Sequence, residues 1–155
     1  AYDVCPGVSS FNGAAASLGA ELTLPEVSQT VIITRMAGRT AVPERESFRS
    51  LAAHHSTMAV FLSAGLLEEM EAELKEAGHR PDTPAAIVYK ATWPEEKAVR
   101  CTVSTLKETA EREGIRKTAM ILIGDVLGTR EENGYADSRL YAPDFTTGFR
   151  KGTDA

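Results

Sequence analysis

Thr57-Met58-Ala59-Val60-Phe61-Leu62-Ser63, followed two residues later by Leu66-Leu67-Glu68-Glu69-Met70-Glu71-Ala72-Glu73-Leu74-Lys75 and closed by Gly78, decides the fold class. The first piece is a short apolar run of strand length. The second places Leu66, Leu67, Met70 and Leu74 on one face at helical spacing, with glutamates and Lys75 outside. A strand feeding an amphipathic helix is the repeating unit of an α/β domain. Upstream, Thr30-Val31-Ile32-Ile33-Thr34-Arg35-Met36 is β-branched and reads as a strand. After a polar connection from Ala37 to Glu46, Ser47 starts a helix running from Phe48 to His55 that turns Phe48, Leu51 and Ala52 inward. Downstream, Thr83-Pro84 introduces a strand from Ala85 to Lys90. Ala98 to Val103 pairs antiparallel with it across the turn Trp93-Pro94-Glu95-Glu96. Thr105 and Glu108 have capping-box spacing and open a charged helix that ends at Gly114, and Ala119 to Ile123 is the last strand. The expected architecture is a mixed-sheet α/β domain.

The ends are less regular. Tyr2 to Cys5 is β-prone and reads as the end of a strand, stopped by Pro6-Gly7; Ser9 or Ser10 then caps a small-residue helix from Phe11 to Leu18, which Gly19 ends. From Gly128 onward periodicity fades. Arg130-Glu131-Glu132-Asn133-Gly134 reads as a turn and Tyr135 to Arg150 as an aromatic-bearing tail.

A chain of 155 residues holds one domain with a piece of a neighbour, and 43% apolar with 25% charged residues is ordinary for a globular protein. The net charge of −5 gives no general attraction to nucleic acid or to an anionic membrane, so an anionic partner needs a local basic patch. Cys5 and Cys101 have no metal-like spacing and read as two reduced thiols. There is neither a signal-peptide pattern nor an apolar run of membrane-spanning length, which places the protein in the cytoplasm. The opening Ala1-Tyr2-Asp3-Val4 lacks an initiator methionine and suggests a fragment.

No phosphate-cradling loop, zinc constellation or nucleophile elbow occurs. His54, His55 and His79 read as helix-end residues rather than metal ligands, and no metal is expected. Arg35, Arg39, Arg45 and Arg49 cluster from a strand end into the following loop and helix. Guanidinium groups grip carboxylates in bidentate geometry, and Arg35 and Arg39 lie nearest the strand end; interleaved Glu44 and Glu46 fit a solvated charged loop equally well. Pro6-Gly7-Val8-Ser9-Ser10 reads either as an ordinary capped turn or as a set of backbone donors for a polar ligand.

Longer matches go further. Pro6 to Ser10, Glu21-Leu22-Thr23-Leu24-Pro25, Ser28 to Arg35, Thr57 to Ser63, Val88-Tyr89-Lys90-Ala91-Thr92-Trp93-Pro94 and the tail Ser138-Arg139-Leu140-Tyr141 through Phe145-Thr146 to Phe149-Arg150 resemble the tetrapyrrole C-methyltransferases of cobalamin biosynthesis, in particular the precorrin-4 C(11)-methyltransferase group. Thr147 stands where that pattern often has His. The resemblance implies two α/β domains, a homodimer, and S-adenosylmethionine in the interdomain cleft donating its methyl group in line to a tetrapyrrole carbon. It implies that residues 1–10 end a first domain, 11–127 form the carboxyl-terminal α/β domain and 128–155 are a tail. The family's amino-terminal Gly-Pro-Gly-Asp and Gly-Asp-Pro loops have no counterpart, so the fragment alone is expected to be inactive. Carried over, the cofactor positions fall on Ser9, Ser10, Leu62, Ala91 and Ala119, and the substrate's acid arms on Arg35 and Arg39. No general base is identified. A non-catalytic module of the same fold, methylation of another ring carbon, and the presence of cobalt in the ring all stay open.

Overall fold

The computed structural model describes residues 2–128, 138 and 142–153. Five strands form one sheet: β1 (Val31–Arg35), β2 (Thr57–Phe61), β3 (Pro84–Tyr89), β4 (Lys97–Thr102) and β5 (Ala119–Ile123). Their order is β1-β2-β5-β3-β4. Only β1 and β2 run parallel; β5 lies between β2 and β3 and opposes both, and β4 opposes β3. The sheet is therefore mixed, with its last strand at its centre.

Strand alternation sends side chains to two cores. One face carries the rows Met58–Ile123–Ala85 and Val60–Ile121–Ile87, in register across β2, β5 and β3. Against it pack α2 (Phe48–Ala52), α3 (Leu67–Glu76) and α4 (Leu106–Glu113), through Phe48, Ala52, Leu67, Met70, Leu74, Leu106 and Ala110. The opposite face is made of small residues beside larger ones: Ala59 and Ala86 flank Leu122, and Val88 flanks Met120. That relief admits α1 (Ser10–Leu18), whose Ala14 and Ala15 are buried. Gly19 and Gly114 end α1 and α4 in the left-handed region, where a Cβ is unfavourable.

Three expectations need correction. Tyr2 to Cys5 forms no strand: the described residues offer it no ladder partner, and Tyr2 and Val4 are fully in solvent. The helix begun at Ser47 ends at Ala52, so His54 and His55 lie in the turn beyond it, with His55 at φ 52°. The capping pair is not Thr105 with Glu108. Thr102 and Thr105 cap reciprocally around a 3-10 turn, Val103–Thr105, because β4 continues to Thr102 and the chain must leave the sheet before the helix can start. The predicted turn at 130–134, and Arg139, Leu140 and Tyr141 of the tail motif, lie outside the described residues. Among the described residues no helix is long and apolar enough to cross a membrane.

His79 follows α3 and is buried. Its Nε2 lies 3.0 Å from the Ala52 carbonyl, which can only accept, so the neutral ring carries its proton on Nε2. His55 packs against it at 4.7 Å between ring centroids. Burial holds the His79 imidazole below its ordinary value of 6.5, against the opposing pull of the Ala52 hydrogen bond. A base with a depressed folded pKa contributes stability that is fully present above 6.5 and is lost as pH falls through the folded value. Thermal melting should therefore drop between pH 7.5 and 5.5, and His79→Gln, which keeps a donor for Ala52, should flatten that slope. An equal slope in the variant would place the acid sensitivity elsewhere.

Candidate functional site

A cavity of about 680 Å³ opens at the sheet end where β2 and β3 finish and β5 begins. Its walls come from four separated stretches: Val8 to Gly13 at the start of α1, Phe61 to Gly65 after β2, Val88 to Trp93 after β3, and Arg116 to Met120 entering β5. The volume falls within the range of about 300–1,000 Å³ typical of small-molecule sites.

The backbone is strained around it. Leu62 (φ 54°), Lys90 (47°), Thr92 (71°) and Thr118 (57°) all occupy the left-handed region and all line the cavity. Such a conformation costs an L-residue about 1–2 kcal/mol, and a β-branched threonine is the poorest candidate for it. Strain of this kind persists only where neighbours enforce it. At Leu62 the enforcing residue is buried Ser63, whose hydroxyl donates to the Phe61 carbonyl at 2.7 Å and accepts the Met36 N–H at 3.0 Å. This ties the ends of β1 and β2 together and turns Leu62 outward over the cavity, 88% exposed. At the other wall, the N–H of Lys90 donates to the Thr118 carbonyl at 3.0 Å, locking two left-handed residues to each other.

The start of α1 is open for ligands. Ser9 stands at the N-cap, yet its side chain makes no capping hydrogen bond. The amides of Asn12 and Gly13 close on the Ser9 carbonyl, and the hydroxyls of Ser9 and Ser10 have no hydrogen-bond partner among the described residues. A Cβ placed on Gly13 would sit 3.7 Å from Ala91 Cβ, so helix and β3–β4 turn approach across two minimal side chains.

All five positions predicted to meet a cofactor, Ser9, Ser10, Leu62, Ala91 and Ala119, line this one cavity. Arg35 and Arg39 do not. Arg35 commits its guanidinium to its own loop, donating to the Met36 and Thr40 carbonyls at 3.1 Å and to the Ala41 carbonyl at 2.9 Å. Arg39 is exposed on that loop. The sequence reading missed Lys90, Thr92, Trp93 and the Arg116-Lys117-Thr118 step. The rule that ligands gather outside the carboxyl ends of strands signals the first three. Nothing local reveals that β5 enters from that same end. Of the cysteines, Cys5 is exposed and free; Cys101 is also free, and burial, aided by Glu71, pushes its thiol up to about 12, so it is no nucleophile. Thr147 accepts the amides of Phe149 and Arg150 in a turn of the tail.

The sequence profile described as Tetrapyrrole (Corrin/Porphyrin) Methylases matches residues 1–107. The chain belongs to that family. The cobalt-precorrin-4 C(11)-methyltransferase of Methanocaldococcus jannaschii is 51% identical over 149 residues, covering 96% of this chain and 56% of that protein. The crystal structure of a cobalamin biosynthetic enzyme, cobalt precorrin-4 methyltransferase, superimposes with a TM-score of 0.80 at 50% identity, covering 82% of this chain and 53% of that one. Uroporphyrin-III C-methyltransferase from Thermus thermophilus, solved in complex with S-adenosylhomocysteine, superimposes with a TM-score of 0.63 at 25% identity, over 81% of this chain and 53% of that one. The tetrapyrrole methylase chain described here thus spans little more than half the length of these relatives.

Proposed function

We propose that this chain is the carboxyl-terminal part of an S-adenosylmethionine-dependent methyltransferase acting on C-11 of precorrin-4 in cobalamin biosynthesis. The observation that carries this reading is the meeting of Ser9, Ser10, Leu62, Ala91 and Ala119, drawn from separate parts of the chain, on one cavity large enough for a small-molecule cofactor. The two cobalt-precorrin-4 enzymes described above favour the cobalt-containing ring as substrate. In this reading residues 1–10 end a first domain, 11–127 form the second and 128–155 the tail, and the enzyme is a cytoplasmic homodimer.

The cavity suits the cofactor. Phe61, Leu62, Val88 and Met120 offer apolar cover for an adenine, and the unpartnered Ser9 and Ser10 hydroxyls offer polar contacts. Small side chains at Ala91 and Ala119 let backbone groups come close to the ligand. When bound, S-adenosylmethionine supplies an electrophilic methyl group on a sulfonium. The chain's own work is alignment and exclusion of water, effects that contribute up to ~7–11 kcal/mol when reacting atoms are held in line. Arg39 is proposed to meet an acid arm of the substrate from its exposed loop; Arg35 shapes that loop instead.

Calorimetric titration of S-adenosylhomocysteine into the protein tests the reading. Saturable one-to-one binding, competed by S-adenosylmethionine, is the expected result. Absence of heat at millimolar ligand, with the protein folded by circular dichroism, would remove the cavity from consideration as a cofactor site.

A further inference from the structure

The residues lining the cavity include three cations, Lys90, Arg116 and Lys117, and no carboxylate, in a chain with 22 acidic and 17 basic residues. The nearby acids of the β3–β4 turn are already engaged. Glu95 pairs with Lys90 at 3.5 Å, and Glu96 accepts the amide of Thr92. Arg116 and Lys117 are exposed and make no ion pair among the described residues. Lys90 is held in place rather than free to wander. Its backbone is fixed to Thr118, its ammonium lies 5.3 Å from the Tyr89 ring centroid and 5.1 Å from that of Trp93, and its side chain is 22% exposed. Because Lys90 and Thr118 are joined, the ammonium and the Arg116-Lys117 step sit on two adjoining stretches of one wall. Glu95 offsets Lys90 on one side, whereas Arg116 and Lys117 have no acidic partner among the described residues, so the cluster keeps a net positive charge that an anion would offset. Left-handed Thr92 and Thr118 stand on the same two stretches as the cluster, and backbone strain of this kind gathers at ligand sites.

We propose that Lys90, Arg116 and Lys117 form a carboxylate-binding rim on the cavity, adjoining the walls that face the nucleoside. This deepens the cofactor reading above and rests on it. Two carboxylates have the right chemistry: the amino-acid end of the cofactor and the acid arms of the tetrapyrrole. The rim shares the anion-binding role expected of Arg35 and Arg39, of which Arg35 gives three of its donors to its own loop.

Trp93 is the chain's single tryptophan and lines the cavity, so its fluorescence reports ligand entry. The parent and an Arg116→Gln/Lys117→Gln variant are titrated with three probes. S-adenosylhomocysteine carries the nucleoside and a carboxylate, 5′-methylthioadenosine carries the nucleoside thioether alone, and uroporphyrin supplies a polycarboxylate tetrapyrrole. Both substituted residues are exposed, so the variant keeps the fold. Lys90→Gln is followed by calorimetry, because that change alters the tryptophan's own surroundings. Carboxylate-bearing probes should weaken about tenfold or more (~1.4 kcal/mol) in the variants, with methylthioadenosine unchanged. Weakening confined to S-adenosylhomocysteine assigns the rim to the cofactor, and weakening confined to uroporphyrin assigns it to the substrate arms. Unchanged affinity for both carboxylate-bearing probes, or equal weakening of methylthioadenosine, overturns the rim while leaving the cavity's cofactor role intact. A parent protein that binds none of the three overturns both.

Discussion

Replacing Ala91 with phenylalanine is expected to abolish binding of S-adenosylhomocysteine while leaving the fold in place. Ala91 lies just after β3, half-buried on the cavity wall, in the step between left-handed Lys90 and Thr92. Gly13 of α1 lies on one side of it, close enough that a Cβ there would be in van der Waals contact with Ala91 Cβ at 3.7 Å. A benzyl group there must project into the open volume, which is the space an adenine would occupy. Overpacking costs about 1–3 kcal/mol, which a domain with ~5–15 kcal/mol of stability survives. Affinity should fall at least about 100-fold, a loss of ~2.7 kcal/mol. Circular dichroism and a melt establish that the variant is folded, and calorimetry reads the affinity. Parent-like affinity in a folded Ala91→Phe protein would show that the cofactor does not sit against this wall, whatever becomes of the family assignment.

The largest stability loss is expected at the centre of the sheet. Ile121 is fully buried on β5, in register with Val60 on one side and Ile87 on the other, both also fully buried. Neighbours on three strands cannot collapse into a void together without breaking the ladders that hold them. Ile121→Ala should therefore fall within the usual cost of about 2–5 kcal/mol for a truncated core side chain. At ~2–4 °C per kcal/mol for a chain of this size, the melting temperature drops by several degrees at least. Ile33 on edge strand β1 is the contrast, because it is 53% exposed and has no second ladder partner. Ile33→Ala should cost under about 1 kcal/mol. Similar losses at both positions would mean that β5 does not form the central layer of the core.

Much of this was readable from local letters. The five strands lie within a residue or two of where β-branched and apolar runs place them, and the buried faces of α2 and α3 follow from helical spacing. These features are local, since period and composition act over one element at a time. Only the first short segment failed badly: Tyr2 to Cys5 has strand-like letters, but a strand also needs a partner. The capping pair failed more mildly. Thr105 looked like the N-cap of a box with Glu108, but where β4 lets go of the sheet decides which threonines face each other.

The candidate site divides in the same way. Order, type and length of the elements, and the residues of the family resemblance, belonged to the sequence. The position and direction of β5 did not: it pairs antiparallel between β2 and β3, and that pairing alone brings Thr118 and Ala119 beside Lys90 and Ala91. Left-handed backbone at Leu62, Lys90, Thr92 and Thr118 was equally hidden, because none of these residue types favours it and only surrounding hydrogen bonds impose it. The fate of the arginines was decided there too. Arg35 looked like a carboxylate clamp until three loop carbonyls engaged both its terminal nitrogens, and the cations that do face the cavity come from stretches about 26 residues apart, at Lys90 and Arg116-Lys117. Sequence determines what each segment is able to form, because that is set by neighbours along the chain. Which charges meet around a ligand is set by neighbours across it, and those exist only once the sheet has closed.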